Sequence, residues 1–365
     1  MAVLRVLVVN AGSSSLKLRL LGPGDSIVGS QDLPPPGGAA DAGTLKDAIS
    51  SLGEVDAVGH RIVHGGRLFR SPVVVDAGVR QRLEALTDLA PLHQPKSLAA
   101  FDAVQAALPD VPGVACFDTA FHATIPDHAA TFALPAEWRE RWTLRRYGFH
   151  GLSHAYVSRR AAEMTGASRI VSCHLGAGAS LAAVLDGRSV DTTMGFTPLD
   201  GLVMATRSGS VDPGLVLWLL EHAGTPAAEL AAALEHRSGL SGLAGTADMR
   251  EVLARAADGD ARCELAREVY LHRLRGCVAS MAAAMGGLDT LVFTGGVGEN
   301  SPEIRWRAME GLGFLGIRPD ASRNGTGTGD REIGSPDARV RSLVISARED
   351  LEIARQVRSV FADPN

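Results

Sequence analysis

The feature that most restricts the fold is a unit that occurs twice. Residues 3–9 form an apolar run rich in β-branched side chains. It is broken by Asn10-Ala11-Gly12-Ser13-Ser14-Ser15, after which Leu16, Leu18 and Leu20 alternate with other residues. Short apolar runs and strict alternation are both strand signatures, so the segment predicts strand, tight polar turn, strand. The order returns at residues 169–187, where Ile170 and Val171 lead into His174-Leu175-Gly176-Ala177-Gly178-Ala179-Ser180. Leu181 to Leu185 and a second turn at Asp186-Gly187 follow. Each copy is expected to open a domain with a hairpin whose polar tip faces a shared cleft, a common setting for a ligand. A third apolar strand, Thr290 to Gly298, also ends in glycines. Leu265, Val269, Leu274, Val278, Met281 and Met285 recur at near-helical spacing before Gly286-Gly287 and predict a helix with a core-facing stripe. Strands alternating with helices indicate the α/β class. Residues 22–43, dense in Gly, Pro and Ala, are expected to be irregular, and residues 324–330 to form a second flexible loop.

A chain of 365 residues is long for one core and suits two domains of similar size. With 45% apolar and 21% charged residues it has a globular composition. A net charge of −5 and the lack of a basic tract argue against nucleic acid or an anionic membrane as partner. No apolar stretch approaches the roughly 18 residues of a membrane helix, and Leu215 to Leu220 reads as a buried helical segment. The first 20 residues lack the pattern of a secretory signal, so the cytoplasm is the expected compartment. Cys116, Cys173, Cys263 and Cys277 are widely spaced, which predicts buried, reduced thiols rather than zinc ligands or disulfides.

The polar turns carry the chemistry. Asn10 to Lys17 reads in two ways. It is a phosphate-facing loop with hydroxyls from Ser13 and Ser15 and a cation from Lys17, or a hairpin turn whose serines only satisfy the backbone. It is not a Walker loop, which needs G-x-x-x-x-G-K-[ST] running into a helix. Lys17 is one of three lysines against thirty-three arginines, which draws attention to its place beside the turn. Gly295-Gly296-Val297-Gly298-Glu299-Asn300 fails the dinucleotide spacing, yet glycines after a strand permit close approach of a nucleotide's adenosine half. His150 and His154 stand at i,i+4 without the Glu of a H-E-x-x-H metal pair, so a hydrogen-bonded or transition-state-facing role fits better. Arg61 and Arg207 lie in polar, glycine-containing segments, where an arginine is either a solvated charge or an anion clamp.

Nine segments together resemble the acetate kinase family, within the superfamily of sugar kinases, actin and heat-shock chaperone ATPases, and occur in the family's order. They are Val9 to Lys17, Gly59 to Gly66, Ala90-Pro91-Leu92-His93, Phe117 to His122, Arg146 to Gly151, His174-Leu175-Gly176, Asp191 to Leu199, Thr206 to Gly209, and Gly296 to Asn300. The resemblance implies two duplicated ribonuclease H-like (actin-like ATPase) domains with an interdomain cleft. The expected boundaries are 1–148 plus a C-terminal helix 350–365, and 149–349 for the nucleotide-binding domain. It implies reversible phosphoryl transfer from ATP to acetate with magnesium or manganese, and a homodimer. By the same resemblance Asn10, Ser13, Ser15 and Lys17 face phosphate. Arg61 and Arg207 clamp the carboxylate and the transferring group, and Asp118, His150 and His174 are catalytic. Val63, Leu92, Phe149 and Pro198 form the methyl pocket, while Asn10 and Glu349 serve the metal. Gly176, Gly178, Asp248, Arg250, Gly296, Val297 and Asn300 complete the nucleotide side, together with His174.

The chemistry suits these residue types. A carboxylate nucleophile is ionised near neutral pH and needs no general base, so the obstacle is repulsion between two anions. Cations and positioning are what such a site must supply. The chain departs from the family pattern at Ala177, where Asn is usual, at Gln94, and at Ala347-Arg348-Glu349-Asp350-Leu351, where Arg348 stands beside the expected metal residue. A propionate or other short-chain acyl kinase is the alternative within catalysis, because one methylene changes pocket affinity by only ~1–3 kcal/mol. An ATP-driven chaperone-like or filament-forming protein is the alternative of another class, since a fold does not fix a function.

Overall fold

The computed structural model describes residues 4–12, 15–34, 42–90 and 94–362. Its internal contacts divide the chain into two units. The first comprises Met1–Ala123, Phe149–Tyr156 and Arg348–Asn365; the second comprises Thr124–Gly148 and Val157–Ala347.

Each unit is built on a six-stranded mixed sheet. In the first, β1 (Val6–Ala11), β2 (Leu16–Leu21), β3 (Ile27–Leu33), β4 (Ala57–Ile62), β5 (Val73–Val74) and β6 (Gly113–Phe117) lie in the order β3-β2-β1-β4-β6-β5. In the second, β7 (Arg169–Leu175), β8 (Ala179–Leu185), β9 (Arg188–Thr192), β10 (Thr290–Thr294), β11 (Arg331–Glu332) and β12 (Arg341–Val344) lie in the order β11-β12-β10-β7-β8-β9. Adding six to each strand of the first sheet reproduces the second. The senses agree as well: an antiparallel meander from β1 to β3 and from β7 to β9, parallel pairs β1/β4, β4/β6, β7/β10 and β10/β12, and an antiparallel edge strand beyond. The duplication read from two turns therefore extends to twelve strands, and both units have the actin-like ATPase architecture.

Period-two alternation decides how the first sheet is covered. Leu7, Val9, Leu18 and Leu20 point to one face and pack against the helices Ala42–Leu52 and Gln94–Ala107. Val6 and Val8 point to the other, against Leu152 and against Ile353, Ala354 and Val357 of the helix Glu349–Ala362. Gly59 allows that helix its close approach, since a Cβ there would stand 2.5 Å from Ile353.

Four expectations are corrected. The interval 22–43 is not irregular throughout, because Ile27–Leu33 pairs antiparallel with β2 along most of its length. Cross-strand bonds and the Arg19–Asp32 ion pair at 2.6 Å supply what the local pattern lacks. Leu215 to Leu220 does form a helix, within Pro213–Glu221, but no residue of it is buried, and Trp218 is 53% exposed. In the long helix Ala261–Ala284 the buried face runs through Tyr270, Leu271, Leu274 and Val278, while Leu265 is exposed. Asn324, expected in a loop, is buried in a short helix, Ala321–Gly325. No helix among the described residues is long and apolar enough to cross a membrane. The four cysteines are free, three of them buried and Cys277 half-buried.

Candidate functional site

In the first unit three neighbouring parallel strands end together, and their carboxyl ends deliver the polar residues, the usual place for a ligand in an open α/β sheet. Asn10 lies at the end of β1, Arg61 near the end of β4, and Asp118 directly after β6. The Arg61 guanidinium donates from Nε and Nη2 to Asp118 Oδ2, at 3.0 and 2.6 Å, and from Nη1 to Asn10 Oδ1 at 3.2 Å. Glu349, at the start of the helix that Gly59 admits, completes the cluster. It accepts from Asn10 Nδ2 at 3.2 Å and lies 3.8 Å from Arg61 Nε. Arg348 turns away from it and forms a two-pronged pair with Asp350, 3.0 Å on each prong.

The charges here are strongly coupled. Burial alone would lower the Arg61 pKa, but the carboxylates of Asp118 and Glu349 outweigh it, so Arg61 is raised and stays cationic. Burial pushes Asp118 above its ordinary value; Arg61 opposes that shift and Glu349 adds to it. Asp118 is 1% exposed, and its Oδ1 has no hydrogen-bond partner among the described residues.

Around this cluster lie apolar and histidine side chains. Val63 and Phe149 are buried. His64 is buried too, its ring 5.5 Å from that of Phe149, and Nδ1 accepts from the Gly66 N–H at 2.9 Å. Gln94, one of the departures from the family pattern, bridges the His64 backbone and Leu83 O, so it holds the loop after β4. His122 Nε2 faces Phe149 O at 3.0 Å, and because a carbonyl only accepts, Nε2 carries the proton. His150 adopts a left-handed backbone, φ 56°, at the entry to the helix Gly151–Thr165. No group of three His, Cys, Asp or Glu among the described residues is arranged to hold a metal, so His150 and His154 lack a third ligand of those types. Ser15 is half-buried and Lys17 exposed on β2, opposite Asn10. Ser13 and Leu92 lie outside the described residues.

Burial holds the pKa of His122 and of His64 down to about 4. The sign of the consequence is fixed: an unfolded histidine takes a proton below about pH 6.5, while these folded ones resist until about pH 4. Stability is therefore complete above pH 6.5 and falls as pH drops towards 4, by up to about 1.4 kcal/mol per pH unit for each such histidine. Urea unfolding at pH 7.5, 6 and 5 is expected to show this decline, and a His122→Gln variant to show a shallower one. Equal slopes for the two proteins would refute the assignment to His122.

In the second unit the polar turn after β7 holds its shape through a Gly176 N–H bond to Gly178 O at 3.0 Å. His174, half-buried on β7, stands opposite Ser180 on β8 and Thr294 on β10. Beside the turn is a cavity of about 650 Å³. Gly176, Asp248, Arg250, Gly296, Val297 and Asn300 all line it, as does Ala177. Gly296 to Asn300, expected as a strand end, belong to a short helix, Gly295–Asn300, which begins directly after β10. Asp248 caps the helix Met249–Ala257, and its carboxylate pairs with Arg250 at the rim; that side-chain hydrogen bond, with backbone N–H donors, holds its pKa down to about 2. Met249, Leu253 and Tyr270 also line the cavity and were missed by sequence reasoning. Their only signal was the apolar pair Met249 and Leu253 at i,i+4 behind the capping Asp248.

Arg207 lies in a tight loop. Gly209, with φ +71°, has backbone so close that a Cβ would meet Leu202 O at 2.3 Å. The Arg207 side chain is half-buried, donates from Nη1 to Pro198 O at 2.7 Å, and has its pKa lowered by burial against the opposing charge of Glu235. Pro198 and Arg207 are thus joined, and among the described residues no carboxylate forms an ion pair with that guanidinium.

Residues 40–355 match the family model described as the acetokinase family. The acetate kinase of Trichormus variabilis is 49% identical over 319 residues, covering 86% of this chain and 78% of its own. That of Thermosipho africanus is 43% identical over 395 residues, covering 98% and 97%. Among solved structures, the acetate kinase of Porphyromonas gingivalis superposes with a TM-score of 0.90 at 36% identity over 98% of this chain and 99% of that one. A propionate kinase from Francisella tularensis gives 0.90 at 37%, covering 96% and 98%.

Proposed function

The chain belongs to the acetokinase family, and on that premise we propose that it transfers the γ-phosphoryl group of ATP reversibly to acetate, giving acetyl phosphate and ADP. The observation that carries the reading is the Arg61 cluster. A cation held by Asp118 and Asn10 at the carboxyl ends of three strands is pre-oriented, so it is ready to meet an anion without reorganising. Arg207, with no carboxylate on its guanidinium among the described residues, is a second cation suited to an anionic reactant. Acetate attacks through its own carboxylate oxygen, the bond to the ADP oxygen breaks, and no proton has to move. What the protein supplies is charge compensation for the transferring group by Arg61, Arg207 and His174, and apolar contact for the methyl group from residues such as Val63 and Phe149. The cavity beside the β7 turn would take the nucleoside.

The donor set in the first unit fits magnesium. Asn10 and Glu349 offer oxygen atoms, and Asp118 Oδ1 is a buried oxygen without a hydrogen-bond partner among the described residues. Magnesium is typically held by one or two carboxylates, with water and phosphate filling its other positions. Asn10 and Glu349 would hold the ion, and when bound it supplies positive charge to the phosphate oxygens. The exposed Leu215, Leu217 and Trp218 of the helix Pro213–Glu221 support a homodimer, in which an apolar helical face is covered by a second copy.

Incubation with ATP, magnesium and acetate followed by hydroxylamine is expected to yield acetohydroxamate. The propionate kinase neighbour favours a second reading, and propionate in a parallel reaction decides the preferred acyl group. No hydroxamate from either acid, together with ATP-dependent assembly, would overturn the kinase reading.

A further inference from the structure

Arg305, on the helix Pro302–Glu310, is fully buried. A buried guanidinium is ordinarily matched by a carboxylate, and among the described residues this one is not. Its Nε donates to Asn324 Oδ1 and its Nη2 to Asn324 O, both at 2.8 Å. Its Nη1 donates to Gly298 O at 2.9 Å and to Glu299 O at 2.7 Å. All four acceptors are neutral. Burial, with the Arg331 charge adding, lowers its pKa to about 10, which leaves it protonated at neutral pH.

The position of the acceptors gives this placement a purpose. Gly298 and Glu299 lie in the last turn of the helix Gly295–Asn300, whose Gly296, Val297 and Asn300 line the cavity of the second unit. The final carbonyls of a helix have no partner within it and carry partial negative charge, so a cation is favourable there. Six residues make fewer than two turns, too short to be stable without such support. Asn324 is itself fixed, donating from Nδ2 to Pro302 O at 2.8 Å, so the guanidinium ties three backbone segments together behind the cavity wall.

We propose that Arg305 is a positioning residue for nucleotide binding: its planar fork holds the helix Gly295–Asn300 in the conformation that presents Gly296, Val297 and Asn300 to the nucleoside half of the nucleotide. The assignment rests on the kinase reading for the identity of the ligand. Arg305 touches neither reactant and acts only through the helix it holds.

Two substitutions separate fork from charge. Arg305→Lys keeps the cation and loses the planar donor array; Arg305→Met loses both. In each purified full-length variant, ADP affinity is measured by calorimetry, and KM for ATP and for acetate by steady-state kinetics. Each charged hydrogen bond removed corresponds to about a tenfold change, so ADP affinity is expected to fall, and KM for ATP to rise, by at least about tenfold in Arg305→Lys. KM for acetate and kcat should stay within about twofold. ADP affinity within twofold of wild type in a folded Arg305→Lys would overturn the proposal, as would a parallel rise in KM for acetate, the mark of general loosening. If Arg305→Met fails to fold, the lysine variant decides. Wild-type protein that binds ADP but forms no acyl phosphate would defeat the kinase reading while the affinity comparison still judges Arg305; absence of ADP binding would defeat both.

Discussion

Arg61→Ala is expected to lower kcat by at least about a hundredfold and, separately, to destabilise the protein. The kinetic loss follows from removing one pre-oriented donor to developing charge, which commonly costs ~3–4 kcal/mol of barrier, or a factor of a hundred or more in rate. The stability loss has another origin. Asp118 is 1% exposed and has its shortest contact with Arg61, at 2.6 Å, so alanine strands a carboxylate in the interior. Breaking a buried pair from one side typically costs ~3–5 kcal/mol. The two effects separate in the double variant Arg61→Ala/Asp118→Asn, where the stranded Asp118 charge is gone: urea stability should largely return and turnover should not. Arg207→Ala provides the contrast. Among the described residues its guanidinium holds only the Pro198 carbonyl, so a similar loss of kcat is expected with a smaller change in stability. Near-normal turnover in either single variant would contradict the clamp role, and a double variant no more stable than Arg61→Ala would show that the stranded carboxylate is not the cause.

How far this could be read without coordinates depended on the range of the interactions involved. The hairpin at Asn10 to Leu20 and its copy at 169–187 were legible because alternation and turn chemistry are local, and so was the class of fold. β3 was not. Ile27 to Leu33 carries little amphipathic signal, and its strand state comes from pairing with β2 and from Gly29 making room for Leu52, whose side chain would stand 2.8 Å from a Cβ there. Pro213–Glu221 failed in the opposite direction: an apolar run was read as buried, and composition says nothing about whether a neighbour covers it. At the candidate site the family's motifs pointed to Arg61, Asp118 and Glu349 one at a time. That they share hydrogen bonds follows from β1, β4 and β6 lying side by side, a topological fact that no spacing encodes. Arg305 and Tyr270 went unnoticed for the same reason. An arginine on a helix and a tyrosine in an apolar stripe draw no attention until their surroundings are known, when one proves to be a buried cation with neutral acceptors and the other a cavity-lining phenol whose hydroxyl has no partner among the described residues.

Gly151→Ala is the second substitution with a large expected effect, and it acts through one atom. Gly151 opens the helix Gly151–Thr165 and donates its N–H to Asp118 O at 2.9 Å. A Cβ at this position would stand 2.1 Å from that same oxygen and 3.0 Å from Phe121 Cβ. The oxygen is backbone, so no rotamer relieves the clash. Either the helix start retreats and gives up the hydrogen bond, or Asp118 moves and carries its carboxylate away from Arg61. Asp118 is anchored from the other side, its N–H donating to Ile62 O at 3.0 Å at the end of β4, so a shift propagates to the strand that bears Arg61. Overpacking of this kind costs ~1–3 kcal/mol, and misplacing catalytic groups by about 1 Å costs roughly a hundredfold in rate. Gly276→Ala is the matched control. It lies inside the helix Ala261–Ala284, where its methyl group would meet no described residue within 4 Å beyond the helix's own backbone, and alanine there should be neutral or stabilise by ~0.4–1 kcal/mol. The expected pair of results is a large fall in kcat with reduced urea stability for Gly151→Ala and full activity for Gly276→Ala. If Gly151→Ala kept kcat within threefold, the contact that couples the helix start to Asp118 would be irrelevant to turnover, and the Arg61 cluster would lose its claim to be held rigidly in place.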